Sequence, residues 1–238
     1  MTSALLAIVQ TAALEMGLPK PVSVIGNPDG QAGQMLALAN REGEELADIE
    51  GSWPALRGAH VIPLVPGTDT YAVPADFAYY YQNTAWDRTT HQLVAGPLSP
   101  AEWQMVKAGL YPAGLFYRFR MFGAGKIVFL PVPANTDVIS IEYRSTSWCQ
   151  SASGVGQSSF LADTDVPVIP TTLFILGIKW RFLAAKGMNY SEERAAYDMA
   201  LARLHPRSFV TEDLAMGRNR GASILNPGLL PLGNWPGR

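Results

Sequence analysis

The stretch TTLFILGIKWRFLAAKG, Thr171 to Gly187, is apolar on nearly every side when wound as a helix. A helix of that kind is buried on most of its surface, so other elements must surround it. Pro170 opens it and Gly187 closes it as the C-terminal glycine. Asn189 and Glu192 then have the spacing that caps a following helix, which carries Ala195, Ala196, Met199, Leu201 and Leu204 and ends before Pro206. Further packing partners come from the N-terminus. Leu5, Ile8, Val9, Ala12 and Met16 fall on one face at helical spacing, and Gly17 and Pro19 stop the run. Asn27 and Pro28 read as N-cap and first residue of a second helix, with Met35, Leu38, Ala39, Leu46 and Ile49 as its stripe and Gly43 as a weak point.

Between the two helical ends the period changes. AHVIPLVPGTDTYAVP reads as two short strands around a turn, and FAYYYQNTAWDRT suits a strand. Ser99-Pro100-Ala101-Glu102 is a capping box that starts a short helix with Trp103, Val106 and Leu110. FYRFRMF and KIVFLPV flank a Gly123-Ala124-Gly125 turn as a hairpin. Val138 to Ser145 alternates with period two, as a half-buried strand does. The expected fold is α+β, a helical bundle from the N- and C-terminal helices with an inserted β-rich unit and an extended C-terminal tail. The boundaries are 1–52 for the first bundle helices, 53–150 for the β-rich unit, 151–205 for a Ser/Gly-rich loop with the last bundle helices, and 206–238 for the tail. The tail ends GASILNPGLLPLGNWPGR, too rich in proline for a helix and too apolar for an ordinary disordered segment. Trp235 within it is either an interface anchor or folds back on its own domain.

Charged residues make up 16% of the 238, against about a quarter in ordinary soluble domains. Apolar surface must therefore be hidden in a well-filled core or against other subunits. A net charge of −2 argues against grip on nucleic-acid phosphates, which needs a basic face. The single cysteine, Cys149, excludes an internal disulfide and reads as a core thiol. No basic, cleavable leader and no run of about 20 apolar residues is present, so the expected site of synthesis is a cytoplasm and no membrane is involved. His60, His91 and His205 lack the neighbouring ligands of a zinc site. Asp163 and Asp165 read as an acidic turn rather than a calcium loop. Glu44, Glu45, Asp48 and Glu50 read as a solvated helix face, with a glycosidase-type carboxylate pair as the enzymatic alternative. No catalytic residue, metal or cofactor is expected.

Several segments in order resemble the head–tail adaptors of tailed bacteriophages. They are Glu15-Met16-Gly17-Leu18-Pro19, Val24-Ile25-Gly26-Asn27, Thr84-Ala85-Trp86-Asp87-Arg88-Thr89, Glu102-Trp103-Gln104, Phe160 to Asp165, and Leu176-Gly177-Ile178-Lys179-Trp180-Arg181 running on to Lys186-Gly187. The resemblance implies a structural virion protein of the neck, made in the host bacterial cytoplasm. Such adaptors form a ring, usually of twelve copies, beneath the portal. They join it to the tail tube or nozzle and extend the channel through which DNA passes without specific binding. Trp86, Asp87, Arg88, Trp103, Gly177, Lys179, Trp180, Lys186 and Gly187 are the motif positions expected to hold the fold. The tail is expected to grip the portal, with Arg218 and Arg220 meeting acidic groups and Ile224, Leu225, Leu229, Leu230 and Trp235 filling pockets. The competing readings are another neck or tail ring protein, such as a head-completion or tail-terminator protein, and a cell-wall muramidase.

Overall fold

The computed structural model describes residues 3–49, 53–109, 116–123 and 125–204. Arg218, Arg220, Ile224, Leu225, Leu229, Leu230 and Trp235 lie outside the described residues, as does the whole segment 205–238. In chain order the elements begin with α1 (Leu5–Glu15), α2 (Gly30–Asp48), β1 (Arg57–Pro63), β2 (Thr70–Ala72), β3 (Phe77–Tyr80), β4 (Trp86–Asp87) and β5 (Gln92–Leu93). They continue with α3 (Pro100–Lys107), β6 (Arg118–Phe122), β7 (Lys126–Leu130) and β8 (Val138–Ser145). The series ends with β9 (Cys149–Gln150), β10 (Gly156–Gln157), β11 (Val166–Pro167), α4 (Thr171–Ala185) and α5 (Ser191–Leu204). The fold is α+β, as expected. The described residues divide into a helical unit, within 3–57 and 145–204, and a strand unit within 58–144.

In the helical unit α4 packs against α1, α2 and α5. Of its residues only Thr172 and Ala185 are exposed, which is what an all-round apolar helix demands. Leu173, Phe174 and Ile178 meet Leu5, Ile8, Val9, Met35, Leu46, Trp53 and Trp148 in one core. The first amides of α1 need acceptors, and the 163–165 turn supplies them: Leu5 N donates to Asp165 O at 2.8 Å and Leu6 N to Asp163 O at 3.1 Å. The cap of α2 is Asp29, whose carboxylate accepts from Gln31 N at 3.1 Å. Asn27 instead accepts from Asp29 N, so the expected cap lies two residues early and forms the turn that presents the real one. Gly43 is no mere weak point, because a Cβ there would lie 2.5 Å from the Trp148 ring. On α5, Tyr197 and Ala200 are buried, whereas Ala195 and Met199 from the expected stripe face outward.

The 149–167 stretch contains a small sheet, ordered β10-β9-β11, where the sequence suggests a plain loop. Its strands are two residues long, too short for any periodicity to register. Cys149 sits fully buried at its centre, and its thiol donates to Gln157 O and Ser159 O. Burial, then the nearby Asp165, pushes that thiol up to about 12, so it stays protonated at neutral pH.

The strand unit has a sheet ordered β1-β8-β4-β5, with β3 also paired to β8, and a second sheet ordered β2-β7-β6. The two strands of AHVIPLVPGTDTYAVP thus pair with different partners, β8 and β7, and not with each other. β6 and β7 form the expected antiparallel hairpin, with Phe119 opposite Phe129. The aromatic run 77–89 is broken at Asn83, whose φ of 60° bends the chain. Thr84 closes the break by donating to Tyr81 O at 2.8 Å. Ile62, Leu64, Phe119, Ile127, Phe129, Ile139 and Ile141 form the core. The capping box on α3 is complete, with Glu102 accepting from Ser99 N at 2.8 Å and Ser99 accepting from Glu102 N at 3.3 Å.

Candidate functional site

The motif around Gly177 is built about a buried charge. Glu42 lies on the inward face of α2 at zero exposure, between Ala39 and Leu46. Arg181 of α4 donates to Glu42 Oε2 from Nη2 at 2.6 Å and from Nε at 2.9 Å. The same guanidinium reaches Glu45 at 2.8 and 3.3 Å, and Glu45 also accepts from Arg41 at 2.8 Å. Four alternating charges therefore run from the core to the surface. Gly177 makes room for them, because a Cβ at that position would land inside the Glu42 carboxylate.

Burial pushes the Glu42 carboxyl above its ordinary value, and Arg181 and the Tyr197 hydroxyl pull it back without cancelling the burial. Burial also acts to raise Glu45, but hydrogen bonds from Arg41 and Arg181 outweigh it and hold the carboxyl low. Burial disfavours the Arg181 cation, yet its two carboxylates raise it, so it stays charged. The charge thus ties α2 to α4.

The other motif residues also make internal contacts. Trp180 is half-buried with the guanidinium carbons of Arg181 and Arg194 at 4.4 and 4.5 Å from its ring centroid. Lys179 donates to Glu15 of α1 at 2.8 Å. Lys186 caps α4 through its backbone, and Gly187 follows at φ +69°, where a glycine is favoured. In the strand unit Asp87 is buried and organises the turn after β4. It accepts from Thr89 N at 2.8 Å, Thr90 N at 3.2 Å and Thr90 Oγ1 at 2.7 Å. Arg88 is exposed and contributes its backbone, donating to Val138 O at 2.7 Å. Trp86 pairs with Ser140 and Leu93 in the sheet, and Trp103 is buried edge-on to Phe122.

The acidic turn is likewise used internally. Asp163 accepts from Ile25 N at 2.8 Å and from Val24 N at 3.1 Å, tying the α1–α2 connection to the turn before α4. Asp165 reaches back to Leu161 N and Ala162 N at 2.7 and 2.8 Å. Among the described residues no three His, Cys, Asp or Glu side chains gather as a metal would require. No described helix is long and apolar enough to cross a membrane.

Two surface features remain. A groove of about 920 Å³ in the strand unit is lined by Val73, Pro74, Phe77, Tyr79, Pro97 and Phe122 among others. Large apolar side chains also stand exposed on the helical unit, including Leu14 at 57%, Leu161 at 63% and Met199 at 68%. These surfaces suit protein contacts.

No curated protein matches the chain. The family model described as SU10 adaptor protein matches residues 3–222, which takes in both units and all the motif positions above. The chain belongs to this family of phage head–tail adaptors.

Proposed function

We propose that the protein assembles as a ring, twelve copies in the expected form, beneath the portal of a phage head, and joins that portal to the tail tube or nozzle. Family membership makes it a structural adaptor of the virion's head–tail junction. The observation that carries the reading is the match over 3–222, joined to motif charges that are spent on internal ties. The exposed apolar side chains of the helical unit supply material for contacts between copies. A net charge of −2 lets DNA pass through the lumen without being held.

In this reading the C-terminal tail grips the portal. Arg218 and Arg220 meet acidic groups there, and Ile224, Leu225, Leu229, Leu230 and Trp235 fill pockets. One tail binds weakly because fixing it on the portal costs several kcal/mol. Twelve tails on one ring act together through effective concentration. Electron microscopy of the protein mixed with its portal, beside the protein alone, tests this. A new ring layer under the portal is expected, and it should vanish when residues 217–238 are deleted. Truncated protein that still decorates portals would remove the tail from the mechanism, and a protein that never binds portals would overturn the reading.

A further inference from the structure

The groove in the strand unit has a neutral, aromatic lining with no charged side chain among its described residues. Its lining residues Tyr79 and Phe122 stand 40% and 39% exposed, and both have aromatic and cationic neighbours. Tyr79 packs on Tyr81 and the Arg144 guanidinium, while Phe122 packs on Trp103 and the Arg120 guanidinium. Rigid rings of this sort, set beside Pro74 and Pro97, form the kind of surface that takes extended proline-containing chain.

The protein carries such a chain. Gly221 to Gly237 holds Ile224, Leu225, Leu229, Leu230, Leu232 and Trp235 with three prolines and not one charge. From Leu204, the last described residue, 16 residues lead to Gly221. Extended, they reach roughly 53 Å, about four times the ~13 Å radius of gyration of a 100-residue domain. An uncharged segment also suits a lining that has no charged side chain among its residues.

We propose that the C-terminal segment Gly221–Gly237 occupies this groove of its own chain in the unassembled protein. The apolar segment is thereby kept out of water until a better site is offered. That the better site is the portal rests on the adaptor reading above, and the occupancy itself does not.

The test uses the full chain with Tyr79→p-benzoylphenylalanine, irradiated at low micromolar concentration and mapped by mass spectrometry. A Val61→p-benzoylphenylalanine protein serves as control, since Val61 is exposed in the same unit but outside the groove lining. The expected result is an intramolecular cross-link from position 79 to residues 221–237, at least fivefold above the control. In a second measurement, the double variant Tyr79→Ser, Phe122→Ser should speed amide exchange in 221–237 at least fivefold. Its rates in α1, α2, α4 and α5 should be unchanged, because neither replaced side chain belongs to the helical unit. Cross-links found only in species of twice the mass would make a second copy the occupant and overturn the proposal. So would equal labelling of 221–237 from position 61, or none from position 79. Added portal should lower the cross-link yield. A cross-link that persists with portal present, in a protein that fails to bind portals, would sink the adaptor reading and leave the groove occupancy standing.

Discussion

In the helical unit Glu42, one of two buried acids, is answered by a full positive charge on Arg181, itself shared with Glu45 near the surface. The other, Asp165, accepts from two backbone amides within four residues. In the strand unit the buried acid Asp87 is answered by two backbone amides and a hydroxyl, all within three residues. Asp137, also buried, accepts from the Tyr117 hydroxyl at 2.8 Å. Between α2 and α4 opposite charges tie distant segments together, whereas the buried acids of the strand unit are met by neutral donors, at a turn for Asp87 and twenty residues away for Asp137. Removing a partner should therefore strand a charge in the first and merely loosen a turn in the second.

The largest effect should come from Arg181→Met. Glu42 is then left in the core without its counter-charge, and stability should fall by about 3–5 kcal/mol in urea titrations at pH 8. The sign of the pH dependence follows from burial. Without Arg181 the native Glu42 carboxyl rises further above its unfolded value, so the native state holds a proton that the unfolded state has released. Acidification from pH 8 toward 5 should restore part of the loss, and adding Glu42→Gln should remove that pH dependence. A deficit that does not change with pH would show that the pair is not the source of the loss.

Asp87→Ala should cost less, about 1–3 kcal/mol, because three local donors lose one acceptor and all three belong to exposed residues. Hydrogen exchange should locate the damage at 87–91 and along the β4–β8 pairing, with α2 and α4 unaffected. Gly43→Ala comes next. Helix propensity alone would improve stability by about 1 kcal/mol. The new methyl group instead meets the Trp148 ring, so a net loss of about 1–2 kcal/mol is expected from the unfolding midpoint. A net gain would mean that the indole can move aside and that the close approach of α2 is not required.

The long helices were legible because their apolar spacing repeats over several turns, and the capping box and the β6–β7 hairpin because their turn chemistry is local. Glu42 was not. The acidic end of α2 invites reading as one solvated face, and three of its members, Glu44, Glu45 and Asp48, are indeed exposed. Yet Glu42 shares the inward row of Met35, Ala39 and Leu46, at steps of four, three and four residues. Arg181 between Ile178 and Phe182 was the matching sign, a cation within a buried helix that needs an anion to face it. Gly177, one turn before it, marks where that anion lies. The strands β9, β10 and β11 had no such trace, since two residues are too few for any alternation to show.

Lys179 offers the finest test of the comparison. It is a charge on α4 as Arg181 is, and it also reaches across to another helix, bonding Glu15 at 2.8 Å. The difference is water: the Glu15 side chain is 46% exposed, whereas that of Glu42 is wholly enclosed. An ion pair open to solvent contributes about 0–1 kcal/mol, since solvation compensates each partner when the other is removed. Lys179→Met should therefore shift the unfolding midpoint by no more than that, and the difference from the parent protein should shrink in 0.5 M salt as screening weakens the parent's pair. A loss above about 2 kcal/mol, insensitive to salt, would place Lys179 with Arg181 among the enclosed ties and break the division by exposure.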